Sequence, residues 1–424
     1  MLPDEHLFRR EAGRMVSALT RMLGVRNLAL AEDAVQDAFC RAMEVWKFGG
    51  LPDNPSAWLM ATARNRALDL LRRERGEQAL APELGRLREV GVAQDCDPEE
   101  PLEDDQLRMM FSCCHPRLPE EAQIALVLQI LCGFGVAEIA AAFLDSPAAV
   151  EKRLVRAKKV LAGSTRLFDL AQPAELRERL PAVQRALYLL FNEGYHGACS
   201  ESAVRVELTD EALRLARLLL VHPQAGTPAA HALAALMCLH AARMPGRYDS
   251  AGEPCPLFEQ DRSRWNARLL SEGLELLDRA ATGDELSEYH LEAGIAAVHA
   301  AARRPEETRW AEIVPLYDAL LGIRPSPVVA LGRAIAIAEL EGAERGLAEL
   351  RTIEGRERLS AYPFYPAAFG EFELRAGRPA AAREHFRRAR ALARNPAERS
   401  FLEQRLLDCE GGLAADERGA SSGR

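Results

Sequence analysis

The chain has 424 residues, 48% of them hydrophobic but only 6% aromatic, and a net charge of −9 at neutral pH. That length allows roughly two to four domains with real cores, and the net charge excludes a uniformly basic coat for nucleic acid. Ala, Leu and Arg dominate while runs of Val, Ile and Thr are scarce, and no window of about 18 apolar residues exists, so the expectation is an all-α chain without a membrane span.

The first 75 residues read as three helices, over about 5–23, 28–47 and 55–75. In the second, Leu30, Ala34, Val35, Ala38, Ala42 and Val45 form an apolar stripe at helical spacing. The stretch "KFGGLPDNPSAW" punctuates it with Gly-Gly and two prolines. Asn54 is placed to cap the third helix, with Pro55 at its first position. That helix, "PSAWLMATARNRALDLLRRER", is basic toward its C-terminal end, where cations suit the helix dipole.

Residues 76–104 are polar, broken and acidic, and read as a tether. A second helical unit covers 105–165. In it an apolar helix ends at Gly133, a short helix spans Val136–Phe143, and a turn at Leu144, Asp145 and Ser146 leads into a last helix, which together make a helix-turn-helix pattern. Val150, Leu154, Ala157 and Leu161 share one side of the last helix; Lys152, Arg156 and Lys159, flanked by Arg153, share another. Such a split suits a helix docked on its partners by one face and free for phosphates and base edges on the other.

Charge alternates along these segments. Arg64 to Arg75 carries five cations against Asp69 and Glu74, and Glu151 to Arg166 carries six against Glu151 alone. Residues 77–105 between them hold ten acids against Arg86 and Arg88. A solvated helix face accounts for either basic run, but not for two basic stations joined by an acidic tether.

From residue 174 to about 410 the chain is a series of amphipathic helices separated by Gly and Pro. In "AAFGEFELRAGRPAAAREHFRRARAL", Gly370 and Gly377 are followed by Ala382, Phe386 and Ala389, a tetratricopeptide-type pattern of small residues with an aromatic filler. "IAELEG" at 337–342 echoes "FELRAG" at 372–377, an offset of 35. Residues 411–424 read as a disordered tail.

Chemical centres are weakly signalled. In "MFSCCHPRLPE", Cys113, Cys114 and His115 tempt a metal or redox reading, which would make the chain a metalloenzyme. Zinc ligands, however, sit two to four residues apart and need a second pair, while Cys96 and Cys132 are isolated. A structural corner is favoured, with Pro116 ending one helix, Pro119 starting the next and the cysteines as small buried packers. In "LFNEGYHGACSE", Glu193, Tyr195 and His196 resemble an acid–base set, but Gly194 and Gly197 favour a helix end. His231, His240, His290 and His299 lie in helical stretches and read as satisfied packing residues. No GxSxG, HExxH or P-loop occurs. Neither an enzyme nor a cofactor is expected. Nine cysteines without a CxxC pair, and a charged start without the apolar core of a secretion signal, favour a reduced, cytoplasmic setting.

The segments "AEDAVQDAFCRAMEVW", "GLPDNPSAWLMATARNRALDLLRRER" and "EIAAAFLDSPAAVEKRLVRAKKVL" resemble, in that order, the core-binding helix, the −10 segment and the −35 module of extracytoplasmic-function σ factors of bacterial RNA polymerase. "FSCCHP", "LYLLFNEGY", "FEQDRSRWN" and "PSPVVALGRAIAIAE" resemble one subgroup with a long tetratricopeptide-type extension. The resemblance implies σ region 2 at 1–75, an acidic linker at 76–104, region 4 at 105–165 and the extension at 174–410. It places Asp33, Gln36, Asp37 and Phe39 against the polymerase core. Trp58, Arg64, Asn65, Arg66, Asp69, Arg72 and Arg73 fall in the −10 reader, and Ala149, Glu151, Lys152, Arg153, Arg156 and Lys159 in the −35 reader. The implied partners are core polymerase, through its β′ clamp and β flap, promoter DNA, and a regulatory protein or peptide on the repeats. Glu151, Asp145 and Gly135 depart from the family pattern and bear on the −35 sequence preference. A DNA-binding tetratricopeptide adaptor is the competing reading; it has no need of the core-binding helix or the −10 segment.

Overall fold

The computed structural model describes residues 5–75, 100–143, 145–163, 173–196, 206–247, 255, 257–393 and 396–421, and every regular element among them is helical. Most of the tether therefore lies outside the described residues. No described helix is long and apolar enough to cross a membrane. The chain divides into two compact units, Met1–Gly194 with Val206–Gly226, and Tyr195–Arg205 with Thr227–Arg424.

The first unit opens with α1 (Glu5–Leu23), α2 (Leu28–Gly49) and α3 (Pro55–Arg75). The apolar stripe of α2 is buried at Leu30, Ala34, Val35, Ala38 and Ala42, but Val45 is exposed and Trp46 takes its inward place. Asn54 caps α3 by accepting from the Ala57 backbone N–H at 3.0 Å. Then come α4 (Glu100–Cys113), α5 (Glu120–Ile130), α6 (Val136–Phe143) and α7 (Pro147–Ala162). Helix α4 begins five residues before Asp105, where the sequence put the start of this unit.

These two helical groups pack on each other. Gly13 of α1 lies against Leu131, and a Cβ there would fall 2.2 Å from the Leu131 carbonyl oxygen. Arg21 of α1 pairs with Asp105 of α4 at 2.8 Å, and Lys158 of α7 pairs with Glu32 of α2 at 2.8 Å. Burial raises the Glu32 carboxyl above its usual range, against the opposing pull of Lys158.

Helices α8 (Pro173–His196) and α9 (Val206–Val221) follow. Arg179 donates to the Phe111 carbonyl oxygen at 3.2 Å and Arg214 to Gln106 Oε1 at 2.9 Å, so both helices are tied to α4. The helix end expected from Gly194 and Gly197 falls at His196, the last residue of α8. Gly194, inside its last turn, also serves close packing, because a Cβ would fall 2.7 Å from the Thr209 backbone nitrogen. Gly197 lies outside the described residues.

The second unit contains α10 (Pro228–Ala242), α11 (Ala267–Ala280), α12 (Glu288–Ala301), α13 (Trp310–Ile323), α14 (Pro327–Glu341), α15 (Ala343–Thr352), α16 (Phe364–Arg375), α17 (Pro379–Leu392) and α18 (Pro396–Ser421). Each helix packs on the next. Gly342 and Gly377, 35 residues apart, take φ values of +97° and +73° just after α14 and α16, where a side chain would be strained. Between α16 and α17 the buried Phe386 ring fills the space over Gly370, where a Cβ would lie 2.8 Å away. Residues 411–421, expected to be disordered, instead prolong α18. Leu402 and Cys409 anchor that helix against Ala382, Phe386 and Ala389 of α17.

Candidate nucleic-acid interface

Helix α7 is capped by Ser146, whose hydroxyl accepts from the Ala149 N–H at 3.3 Å, with Pro147 at its first position. Val150, Leu154, Ala157 and Leu161 are buried, as their spacing predicts. Glu151, Lys152, Arg156 and Lys159 are exposed, and Ala149 and Arg153 are half-buried. The two faces are thus physically separate.

Arg153 is less free than its neighbours. Its guanidinium pairs with Asp145 at 2.7 Å and lies 5.8 Å from the Phe143 ring. Asp145 is held below the usual carboxylate range by the Ser146 N–H and then by Arg153. The departure at Asp145 therefore has a local cause: it orients one cation of α7. At Gly135, which has no hydroxyl to cap the helix, the Glu138 carboxylate still reaches back to accept from the Gly135 N–H at 2.8 Å, the other half of a capping box.

A groove of about 450 Å³ runs between the start of α5 and α7, lined by Arg117, Lys152, Arg153 and Arg156 together with Leu118, Pro119 and Val160. Arg117 escaped the sequence reading because it is 35 residues from Lys152 in the chain. Its only signal is position, in the corner "HPRLPE" between two prolines. Four cations around a shallow groove suit a phosphate backbone.

The same corner holds Cys113 and Cys114. Both are fully buried, and burial pushes the Cys113 thiol well up and that of Cys114 up to about 12. They are thiols, not thiolates, at neutral pH. His115 is occupied locally: Nδ1 accepts from the Arg117 N–H at 3.1 Å and its carbonyl oxygen accepts from Gln123 at 3.0 Å. Pro119 caps α5. Among the described residues, no three His, Cys, Asp or Glu side chains gather as metal ligands would.

On α3, Asn65, Asp69 and Arg73 are exposed, and Arg64, Arg66 and Arg72 are half-buried. Arg66 donates to Asp37 of α2 at 2.5 Å, and Arg72 to Asp69 at 3.2 Å. Asp37 and Arg66, expected in different binding surfaces, are therefore partners. Asp33, Gln36 and Asp37 are exposed on α2, whereas Phe39 is only 9% exposed. Phe39 is a core residue and supports that face from within. Trp58 is half-buried, with its ring 5.3 Å from Trp46. Phe48, at the end of α2, is 88% exposed with Lys47 over its ring at 5.7 Å. Phe48 carries no sequence signal of its own, yet an exposed aromatic beside a cation offers a base a stacking surface.

Comparison with known proteins identifies the same two helical segments. Residues 7–77 match the family described as Sigma-70 region 2, and residues 108–161 match Sigma-70, region 4. Residues 179–281 match a family of unknown function, DUF6596. An uncharacterized protein of Rhizobium meliloti (strain 1021) is 41% identical over 415 residues, which is 95% of this chain and 97% of the relative. No solved structure matches.

Proposed function

The chain belongs to the extracytoplasmic-function type of the σ-70 family, carrying σ regions 2 and 4 and a long helical extension, and from that premise we propose that it is a dissociable promoter-recognition subunit of RNA polymerase. Factors of this family are non-catalytic DNA-binding regulators. The observation that carries the reading is α7, with a buried apolar face and an exposed basic face bordering a cationic groove. Lys152, Arg153, Arg156 and Lys159 read the −35 element there, Ala149 packs close to the base edges, and Glu151 accepts from a cytosine amino group. Arg117 holds a phosphate.

In region 2, Asp33 and Gln36 meet the β′ clamp on the exposed face of α2, and region 4 meets the β flap. Trp58 and Phe48 offer stacking surfaces to bases of the melted −10 strand. Asn65 contributes polar contacts, and Arg64, Arg66, Arg72 and Arg73 hold its phosphates, while Asp69 orients Arg72. The setting is cytoplasmic, where polymerase and DNA are.

The geometry adds a requirement. Positions −10 and −35 are about 25 base pairs apart, or ~85 Å of duplex at ~3.4 Å per base pair. Two regions joined by a 2.8 Å ion pair and by the Gly13–Leu131 contact cannot straddle that distance. Initiation requires them to separate. The extension is suited to govern this step in cis, since α8 and α9 pack on α4 within the same unit as both regions. Its later helices are tetratricopeptide-like hairpins, a surface for a regulatory protein or peptide.

Run-off transcription with purified core polymerase tests the proposal, using genomic promoter fragments that include the gene's own upstream region. Specific transcripts from the intact protein, lost in Arg153→Ala/Arg156→Ala, are the expected result. Failure to bind core polymerase would overturn it in favour of a DNA-binding adaptor.

A further inference from the structure

Elsewhere in the second unit, buried or half-buried arginines find carboxylates. Arg324 pairs with Glu288 at 2.7 Å, Arg333 with Asp318 and Glu349, and Arg378 with Glu373. One cluster breaks this pattern. Arg243, Arg247 and Arg262 lie together around Trp265 and Tyr195, and none of them has a carboxylate ion-pair partner among the described residues.

Each guanidinium is held by neutral groups. Arg262, inside the motif "FEQDRSRWN", donates to the carbonyl oxygens of His299 and Ala302 at 2.8 Å each and to Thr308 Oγ1 at 3.2 Å. Arg247 donates to the Tyr195 carbonyl oxygen at 2.7 Å and lies 4.2 Å from that ring. Arg243, just past the end of α10, only faces Trp265 at 5.6 Å; its Nε is sealed from solvent without a partner. Arg262 Nε, Trp265 Nε1 and His299 Nδ1 are likewise buried and unpartnered. The acids closest in effect, Glu306 and Glu307, act on Arg262, but Glu307 is already paired with Arg304 at 2.8 Å.

Burial pulls Arg243 below the usual arginine range, with Arg247 adding to the pull. Burial and the charges of Arg243 and Arg262 push His299 down to about 4. His299 is therefore not the satisfied packing residue expected from sequence; it is a neutral imidazole beside two cations. Buried cations without counter-charge are unfavourable unless something anionic completes the site. Arg243 and Arg247 are half-buried and so keep a side open to solvent.

We propose that Arg243, Arg247 and Arg262, with Trp265 and His299, form a binding site for a small oxyanion, a ligand bearing a phosphate or carboxylate group. Guanidinium forks match both groups. The two aromatic faces hold the forks while excluding water. The site does not depend on the promoter reading, and it gives the extension a soluble ligand of its own.

The test is thermal unfolding of the full-length protein in sodium phosphate, sodium citrate and sodium chloride at equal ionic strength. Phosphate or citrate should raise the transition saturably, by roughly 5–10 °C at a hundredfold excess over the dissociation constant. A response to phosphate alone, or to citrate alone, identifies the group recognised. Arg243→Gln and Arg247→Gln should abolish the shift while melting in chloride no lower than the parent, because each removes a charge with no carboxylate partner among the described residues. Arg378→Gln should keep the shift. Equal shifts in all variants would show only the general salting effect of these anions and overturn the site. Variants that unfold in chloride would overturn it too, by making the arginines structural.

Discussion

Helix α7 and the Arg243–Arg262 cluster each gather arginines without a full set of acids, and they do so in opposite surroundings. On α7 the cations stand in water on a face whose other side carries the core, so the charge costs little and waits for an external polyanion. In the extension the cations are enclosed by aromatic rings and backbone carbonyls, where an unmatched charge is costly. An unpaired surface cation reports a partner reached by diffusion. An unpaired buried one reports a partner that must enter.

Acid separates the two most strongly. His299 is held down to about 4, so its share of stability is complete above its ordinary value near 6.5 and is lost as pH falls toward 4. The loss is about 3 kcal/mol in all. Urea unfolding followed from pH 7 to pH 4 should show it, and His299→Gln should flatten the profile. A slope unchanged in that variant would place the sensitivity elsewhere.

Arg153→Ala/Arg156→Ala should weaken binding of a promoter fragment about 100-fold, at ~1–3 kcal/mol per contact. Stability should fall by no more than about 1 kcal/mol, since Arg156 is exposed and the Arg153–Asp145 pair is partly open to solvent. Parallel losses of stability and binding would mean that these arginines support the fold instead of reading DNA.

Asp145→Asn is smaller in scale. It should cost under about 1 kcal/mol of stability and, by freeing Arg153, tighten promoter binding roughly twofold to fivefold. Weaker binding would instead show that Asp145 positions Arg153 for its base. Smallest is Lys159→Ala, which should lower the slope of log affinity against log salt by about 0.9 with no measurable change in melting.

Much of the first unit was legible in sequence because its signals are local. The Asn54 cap, the Val150–Leu161 stripe and the short helix over Val136–Phe143 follow from spacing within a few residues, and the structure has each. What escaped was set by contacts distant in the chain. The close packing of Gly194 on Thr209 leaves no mark on the residues around either one. Phe39 reads as a surface anchor until its burial is seen. Val45 and Trp46 exchange roles because one step around a helix decides which is inside. Arg117 and His299 depend on neighbours 35 or more residues away, and "FEQDRSRWN" carries no sign that Arg262 has no carboxylate partner among the described residues.

On the proposed promoter-recognition reading, the Glu32–Lys158 and Gly13–Leu131 contacts would also set how the protein competes for polymerase. Only molecules in which the two regions have parted would engage both promoter elements, and the apparent dissociation constant would be the intrinsic one divided by the parted fraction. If one molecule in about a hundred is parted, the apparent affinity falls about a hundredfold. A signal that raises that fraction to one half would restore nearly all of it without any new contact to DNA. Glu32→Lys, which sets two cations face to face, should mimic such a signal. The dose of free polymerase needed for half-maximal transcription would then read the population directly.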